Sequence, residues 1–197
     1  MTVGLGSGST AAYLLAPLAA RGLDLRCVAT SPATLDAART LGMTVVSFAG
    51  LDAPSRIDMT IDGADEVDPA GWLIKGGGAA HTREKEVAAA TDRFVVIVSS
   101  NKLVARLKPP IPLELAEFGL AATFRRVQPA RLRDVPRSPD GGVIADYVGD
   151  FDDPQTLANW LSAEPGVVEH GLFPSRMVSE VLIGRGDEVE HMVPPPA

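Results

Sequence analysis

The chain has almost no cysteine, few aromatics and few histidines. Its 197 residues include one cysteine, three histidines, and Phe, Trp and Tyr at 5% together. A single cysteine excludes a disulfide framework, and Cys27 lies in the apolar run "LRCVAT", where a small buried hydrophobe is expected rather than a reactive thiol. The histidines (His81, His170, His191) have no ligand spacing with one another, and the EF-hand pattern is missing. Lysine and arginine form no run, and the net charge is -7, which argues against nucleic acid or an anionic membrane surface as partner. No apolar run approaches the length of a membrane span, and no basic stretch followed by an apolar one marks a secretion signal. A cytoplasmic, globular protein is expected, with 46% hydrophobic residues to build its core.

What is present in the first half is an alternation of short apolar runs with alanine-rich stretches of helical period, the βαβ pattern. "TVGLG" (2–6), "LRCVAT", "MTVVSF", "IDMTID" (57–62) and "RFVVIVSS" (93–100) read as strands, and the segments from Ser9 to Gly22, from Ser31 to Gly42 and "REKEVAAATD" as helices. An open, mostly parallel sheet with helices on both faces follows. From Lys108 the chain becomes proline-rich and is broken by turn signals at "SPDGG" and "EPGVVEHG", which suggests a second, smaller α+β unit. "VSEVLIG" (178–184) is strand-like again and is expected to rejoin the first sheet, making the small unit an insertion. The expected division is 1–107 with 177–197, and 108–176. The closing "VPPPA" is expected to fray.

Three stretches carry chemistry. "GLGSGST" (4–10) lies between a strand and a helix, where bare backbone N–H groups and the positive end of a helix dipole suit a phosphate. It is no P-loop, since G-K-[ST] is absent. Gly6, Gly8 and Ala11 fit the dinucleotide fingerprint, but the second strand ends in Thr30 and Ser31 rather than the acid that holds a ribose. Those hydroxyls suit a sugar phosphate better. In "IDGADEVD" a strand runs out into Asp62 and Asp65, which flank a turn at the ligand-binding end of the sheet. Glu66 and Asp68 read as solvated turn residues. A metal at these acids is the rival reading. His81 and Glu84 form an H-x-x-E pair, but no second pair completes a dinuclear site.

"KGGGAAHTREK" places Lys75 and Gly76–Gly78 before a helix expected to be capped by Thr82, with Glu84 in its first turn. Consecutive glycines cost backbone entropy and imply that something needs close backbone approach, here a cage of N–H groups around ligand oxygens. Glu84 is then a candidate general base, against the plainer role of a carboxylate complementing the dipole. Lys102, after a core strand, is a candidate for a phosphate or oxyanion contact.

These four motifs, "GLGSGST", "IDGADEVD", "KGGGAAHTREK" and "VSSNK", in this order and spacing, resemble type A ribose-5-phosphate isomerases. "PDGGVIADY", "PGVVEHGLF" and "VLIG" extend the likeness over nearly the whole chain. The resemblance implies a Rossmann-like open parallel sheet with an inserted small α+β (ferredoxin-like) domain, and a homodimer or homotetramer. It implies interconversion of ribose 5-phosphate and ribulose 5-phosphate through an enediol, with no metal or cofactor. Carried over position by position, Glu84 matches the proton-transferring base. Ser7, Gly8, Ser9, Thr10, Asp62, Gly63, Ala64, Asp65, Lys75, Gly76, Gly77, Gly78 and Lys102 match substrate-binding positions. Three departures stand out. The chain begins at the first strand, where the family normally has a lead-in helix and short strand. Ser7 replaces the usual threonine but keeps the hydroxyl. The segment 111–137 matches poorly and is given no site. The alternative from a different class is a sugar-phosphate sensor that binds without turnover.

Overall fold

The computed structural model describes residues 1–195, so the end of the expected tail, residues 196 and 197, lies outside the described residues. The strands and helices, in chain order, are β1 (Thr2–Leu5), α1 (Gly8–Ala20), β2 (Arg26–Ala29), α2 (Pro32–Thr40), β3 (Thr44–Val45), β4 (Met59–Asp62), β5 (Glu66–Val67) and β6 (Leu73–Ile74). There follow α3 (His81–Ala89), β7 (Phe94–Ser99), β8 (Ile111–Leu115), α4 (Leu120–Arg126), β9 (Ala130–Leu132), β10 (Val143–Tyr147), α5 (Pro154–Ala163), β11 (Val167–His170), β12 (Leu172–Phe173), β13 (Glu180–Arg185) and β14 (Glu188–Met192).

The chain forms two compact units. The first comprises Met1–Gly63, Arg83–Ser100 and Arg176–Ala197, the second Ala64–Thr82 and Asn101–Ser175. Residues 64–82 and 101–107, expected with the first domain, therefore cluster with the second, and Arg176 clusters with the first. The reason is long-range pairing: β5 and β6 form a hairpin whose third strand is β12, far along the chain.

The first unit is a seven-stranded sheet in the order β14-β13-β7-β4-β1-β2-β3, parallel except where β14 returns antiparallel along β13. β13 pairs with β7 in parallel, so the strand expected at 178–184 does rejoin the sheet. β3 is shorter than "MTVVSF" suggested. Alternation along β2 assigns its two faces. Cys27 packs with Leu15 of α1 and Ala38 of α2, whereas its neighbour Val28 packs with Ile57 and Val87 of α3. Cys27 is fully buried, and burial pushes its thiol up from the ordinary range, as expected of an inert core residue. The strand order reverses direction at β1, whose neighbours β2 and β4 lie on opposite sides, and this is where open α/β sheets bind ligands.

In the second unit, β8-α4-β9-β10-α5-β11 builds an antiparallel sheet ordered β11-β8-β10-β9, the split ferredoxin-like arrangement. Its core joins Ile111, Leu113 and Leu115 of β8 to Leu157 and Leu161 of α5, with Tyr147 edge-on to Trp160 at 5.8 Å between ring centroids.

Candidate active site

In the first unit, β1 passes into α1 through Gly6 and Ser7. Gly6 cannot be replaced cheaply, because a Cβ there falls 2.0 Å from Oδ1 of Asp62. That close approach lets one buried carboxylate oxygen, at the end of β4, accept from two backbone N–H groups, Ser7 at 3.0 Å and Gly63 at 2.7 Å. Loop and turn are thereby tied together, and a Cβ built on Gly63 would lie 3.9 Å from Cβ of Thr10. Gly8, Ser9 and Thr10 form the first turn of α1, a helix with no acidic residue there to compete with a bound anion. Gly8 and Ser9 are exposed and Thr10 is half-buried.

Ser7 stands at the N-cap of α1 but does not cap it. Its hydroxyl donates instead to Oε1 of Glu84, which sits in the first turn of α3 with only 5% of its surface exposed. The sequence grouped Ser7 with the phosphate loop; the structure turns its side chain to the candidate base. Thr30 and Ser31, expected to suit a sugar phosphate, are committed to the scaffold. Thr30 donates to the Leu5 carbonyl, and Ser31 caps α2 by accepting from the N–H of Thr34 at 3.1 Å. Thr34 in turn donates to the Gly6 carbonyl at 3.0 Å, supporting the loop from beneath.

In the second unit, Lys75 follows β6 and is almost wholly buried, its ammonium 5.5 Å from the ring centroid of Phe173. Gly76 has φ of +107°, and a Cβ on it would fall 2.7 Å from Nδ1 of the fully buried His81, so both conformation and space require glycine. Gly77 and Gly78 are exposed, and the Gly77 N–H donates to Oδ2 of Asp65 at 2.7 Å. Ala64 is half-buried in the turn before Asp65. Lys102 lies half-buried on the 3-10 turn Ser100–Lys102 after β7.

The first unit thus brings Ser7, Asp62, Gly63 and Glu84 into one hydrogen-bonded set, with Thr10 beside it. The second brings Asp65 to the glycine run. Three expectations are corrected. Helix α3 starts at His81, so Thr82 lies inside it, and its hydroxyl donates to Glu114 of β8 rather than capping. Asp68 is no solvated turn residue: it accepts from the Trp72 N–H at 2.9 Å and closes the β5–β6 hairpin, and burial raises its carboxyl above the usual range. Glu66, on β5, accepts from the Lys108 N–H at 3.0 Å. His81 packs against Gly76. Among the described residues no three His, Cys, Asp or Glu side chains are grouped to hold a metal ion.

The segment 111–137, given no site, supplies two residues that sequence reasoning missed. Glu114 accepts from both Thr82 and Ser138, and Arg133 donates to the carbonyls of Gly76 and Gly77. A signal for the second was present in "VIADY": an acid in an otherwise apolar strand needs a buried partner.

A family model for ribose 5-phosphate isomerase A (phosphoriboisomerase A) matches residues 26–188. The chain belongs to this family. It is 45% identical to the ribose-5-phosphate isomerase A of Caulobacter vibrioides, over 98% of this chain and 91% of the relative. With that of Roseiflexus it shares 42% identity over 98% of this chain and 89% of the relative. The solved ribose 5-phosphate isomerase A of Methanocaldococcus jannaschii superposes with a TM-score of 0.89 at 34% identity, covering 98% of this chain and 91% of that one. A D-ribose-5-phosphate isomerase solved in complex with phospho-erythronic acid gives a TM-score of 0.89 at 34% identity, covering 98% and 90%. The family match begins at β2, so the Ser7–Thr10 loop is included through the longer similarity to the relatives.

Proposed function

We propose that this member of the family interconverts D-ribose 5-phosphate and D-ribulose 5-phosphate through an enediol, a step of the non-oxidative pentose phosphate pathway. The observation that carries the reading is Glu84: a nearly buried carboxylate in the first turn of α3, held by the Ser7 hydroxyl and preceded by Lys75 and the glycine run.

The reaction moves one hydrogen between adjacent carbons and consumes no oxidant. Glu84 takes the proton from C2 of the aldose; the electron pair left behind forms the C1–C2 double bond as the carbonyl oxygen on C1 gains a proton. Glu84 then returns its proton to C1 while the C2 hydroxyl loses one and becomes the ketone. Lys75 and the N–H groups of Gly76 and Gly78 meet the two oxygens, where negative charge develops, and Asp65, held by the Gly77 N–H at 2.7 Å, relays the proton lost by the C2 hydroxyl and gained by the C1 oxygen. Asp62 and Gly63 with Ala64 fix the turn beside the loop. Gly8, Ser9 and Thr10 anchor the phosphate at the start of α1, with Lys102 as a cation for it. No metal or cofactor is assigned a part.

A homodimer or homotetramer is part of the same proposal. It is supported by α1, which carries no charged residue yet leaves Tyr13 84% exposed. A cytoplasmic location accords with a phosphorylated metabolite as substrate; among the described residues no helix is long and apolar enough to cross a membrane.

The test is ketose formation from ribose 5-phosphate by the wild-type chain and by Glu84→Gln. The amide cannot accept a carbon-bound proton, so kcat is expected to fall by at least roughly a hundredfold while substrate binding survives. Wild-type protein that binds the sugar phosphate without turnover would make it a sensor, and an active Glu84→Gln would remove Glu84 from its role.

A further inference from the structure

The guanidinium of Arg133, just after β9, works at both of its ends. Nε and Nη2 donate to Oδ1 of Asp146 at 3.0 and 2.6 Å, and Nη1 donates to the carbonyl oxygens of Gly76 at 2.9 Å and Gly77 at 3.2 Å. Asp146 is 3% exposed on β10, and Arg131, its register partner on β9, reaches its other oxygen at 3.5 Å. All of these groups lie in the second unit.

A trans peptide points its C=O and N–H in opposite directions. With the Gly76 and Gly77 carbonyls held on the guanidinium, the N–H groups of Gly77 and Gly78 must face away from it. The Gly77 N–H does so, meeting Asp65. The Gly76–Gly77 plane has two further anchors, the Ala79 N–H donating to the Gly76 carbonyl at 3.0 Å and Asp65 at its N–H, whereas Arg133 supplies the bond that holds the carbonyl of the Gly77–Gly78 plane, where glycine has little preference of its own. A cation on a carbonyl also polarises the amide and strengthens its N–H as a donor.

We propose that Arg133 is a positioning residue for the isomerisation. It sets the Gly77–Gly78 peptide plane so that the Gly78 N–H meets a sugar oxygen as charge develops, it braces the Gly76–Gly77 plane whose N–H holds Asp65, and Asp146 sets Arg133. This rests on the isomerase reading, and the wild-type assay run alongside shows separately whether that reading holds. The rival is that the ion pair merely joins β9 to β10. Arg133→Ala alone cannot separate them, because it strands a buried carboxylate and destabilises the fold whatever the glycines do.

The deciding variant is Arg133→Met with Asp146→Leu, which removes both charges together, an exchange that buried ion pairs often tolerate without loss of stability. It is expected to unfold near the wild-type temperature, with kcat down by about tenfold to a hundredfold and KM within about threefold. Inhibition by inorganic phosphate should be unchanged, since Ser7–Thr10 is untouched. Arg133→Lys, which keeps a cation beside Asp146 but has one head instead of a fork, should also fold and also lose kcat. Wild-type kcat in the folded double variant would overturn the proposal. If the double variant does not fold, wild-type kcat in Arg133→Lys would overturn it equally, and lowered kcat there would support it.

Discussion

Replacing Ser7 by alanine removes one oxygen from the candidate base and nothing from the backbone around it. The Ser7 N–H still reaches Asp62 at 3.0 Å, so the loop keeps its tie to the turn while Oε1 of Glu84 loses the hydroxyl that donates to it. A hydrogen bond to a charged group contributes about 1.5–3 kcal/mol. Ser7 is half-buried, so water can partly replace the hydroxyl, and the lower end applies. At roughly 1.4 kcal/mol per tenfold, kcat/KM for ribose 5-phosphate should fall about tenfold. Ser7→Thr, which restores a hydroxyl on the same carbon, should stay near wild type. Ketose formation measured over a range of substrate concentrations, with chemical unfolding of each variant as control, decides the matter. A Ser7→Ala variant with wild-type kcat/KM would show that the hydroxyl does not hold the base, whatever its position.

Ser9→Ala or Thr10→Ala should weaken binding of ribose 5-phosphate far more than of free ribose, by about 1.5–3 kcal/mol per lost bond to phosphate; equal losses for both sugars in a calorimetric titration would assign the loop to something else. Gly6→Ala drives a Cβ to within 2.0 Å of the Asp62 carboxylate, and overpacking of this kind costs about 1–3 kcal/mol before any lost hydrogen bond is counted, which denaturant unfolding will read as a lower midpoint. The Asp153 carboxyl, which caps α5, is held below its ordinary range first by the Thr156 hydroxyl and then by backbone N–H groups. Its folded-state value being depressed, its contribution is present above the ordinary carboxylate range and is lost as pH falls through the depressed value. Asp153→Ala should therefore lower the unfolding temperature near neutral pH and have little effect in strong acid, and an equal effect at both would contradict the assignment.

The first unit was largely legible because its signals are local. A parallel strand buried on both faces reads as an apolar run, and β1 and β2 are each followed by a helix with its own period, so β1, β2, β4, β7 and even the returning β13 were visible. The motifs were legible for a related reason: Gly6 and Gly76 are where backbone meets a side chain, and no other residue fits. What escaped depends on partners distant in sequence. β5, β6 and β12 are two residues long each and have no periodicity; they exist because they pair with one another. The hairpin they form moved residues 64–82 into the second unit. Thr82 looked like a cap because its local sequence allows it, but the Glu114 carboxylate from β8 takes its hydroxyl. Arg133 went unnoticed because it lies in the poorly matching segment 111–137 among several arginines, and only the fold sets it against Asp146 and the glycine carbonyls.

The claim on which the account depends most is that Glu84 carries one proton between C2 and C1. A proton resting on a carboxylate can exchange with water, so turnover in heavy water should place deuterium on carbon in the product, and in recovered substrate as the reaction reverses. The measurement is mass spectrometry or NMR of the sugar phosphates after partial conversion in heavy water, with chelator-treated protein run in parallel. Carbon-bound deuterium, with activity surviving the chelator, is the predicted result. Product without carbon-bound deuterium, together with loss of activity after chelation, would point to a metal-assisted hydride shift and contradict the role given to Glu84.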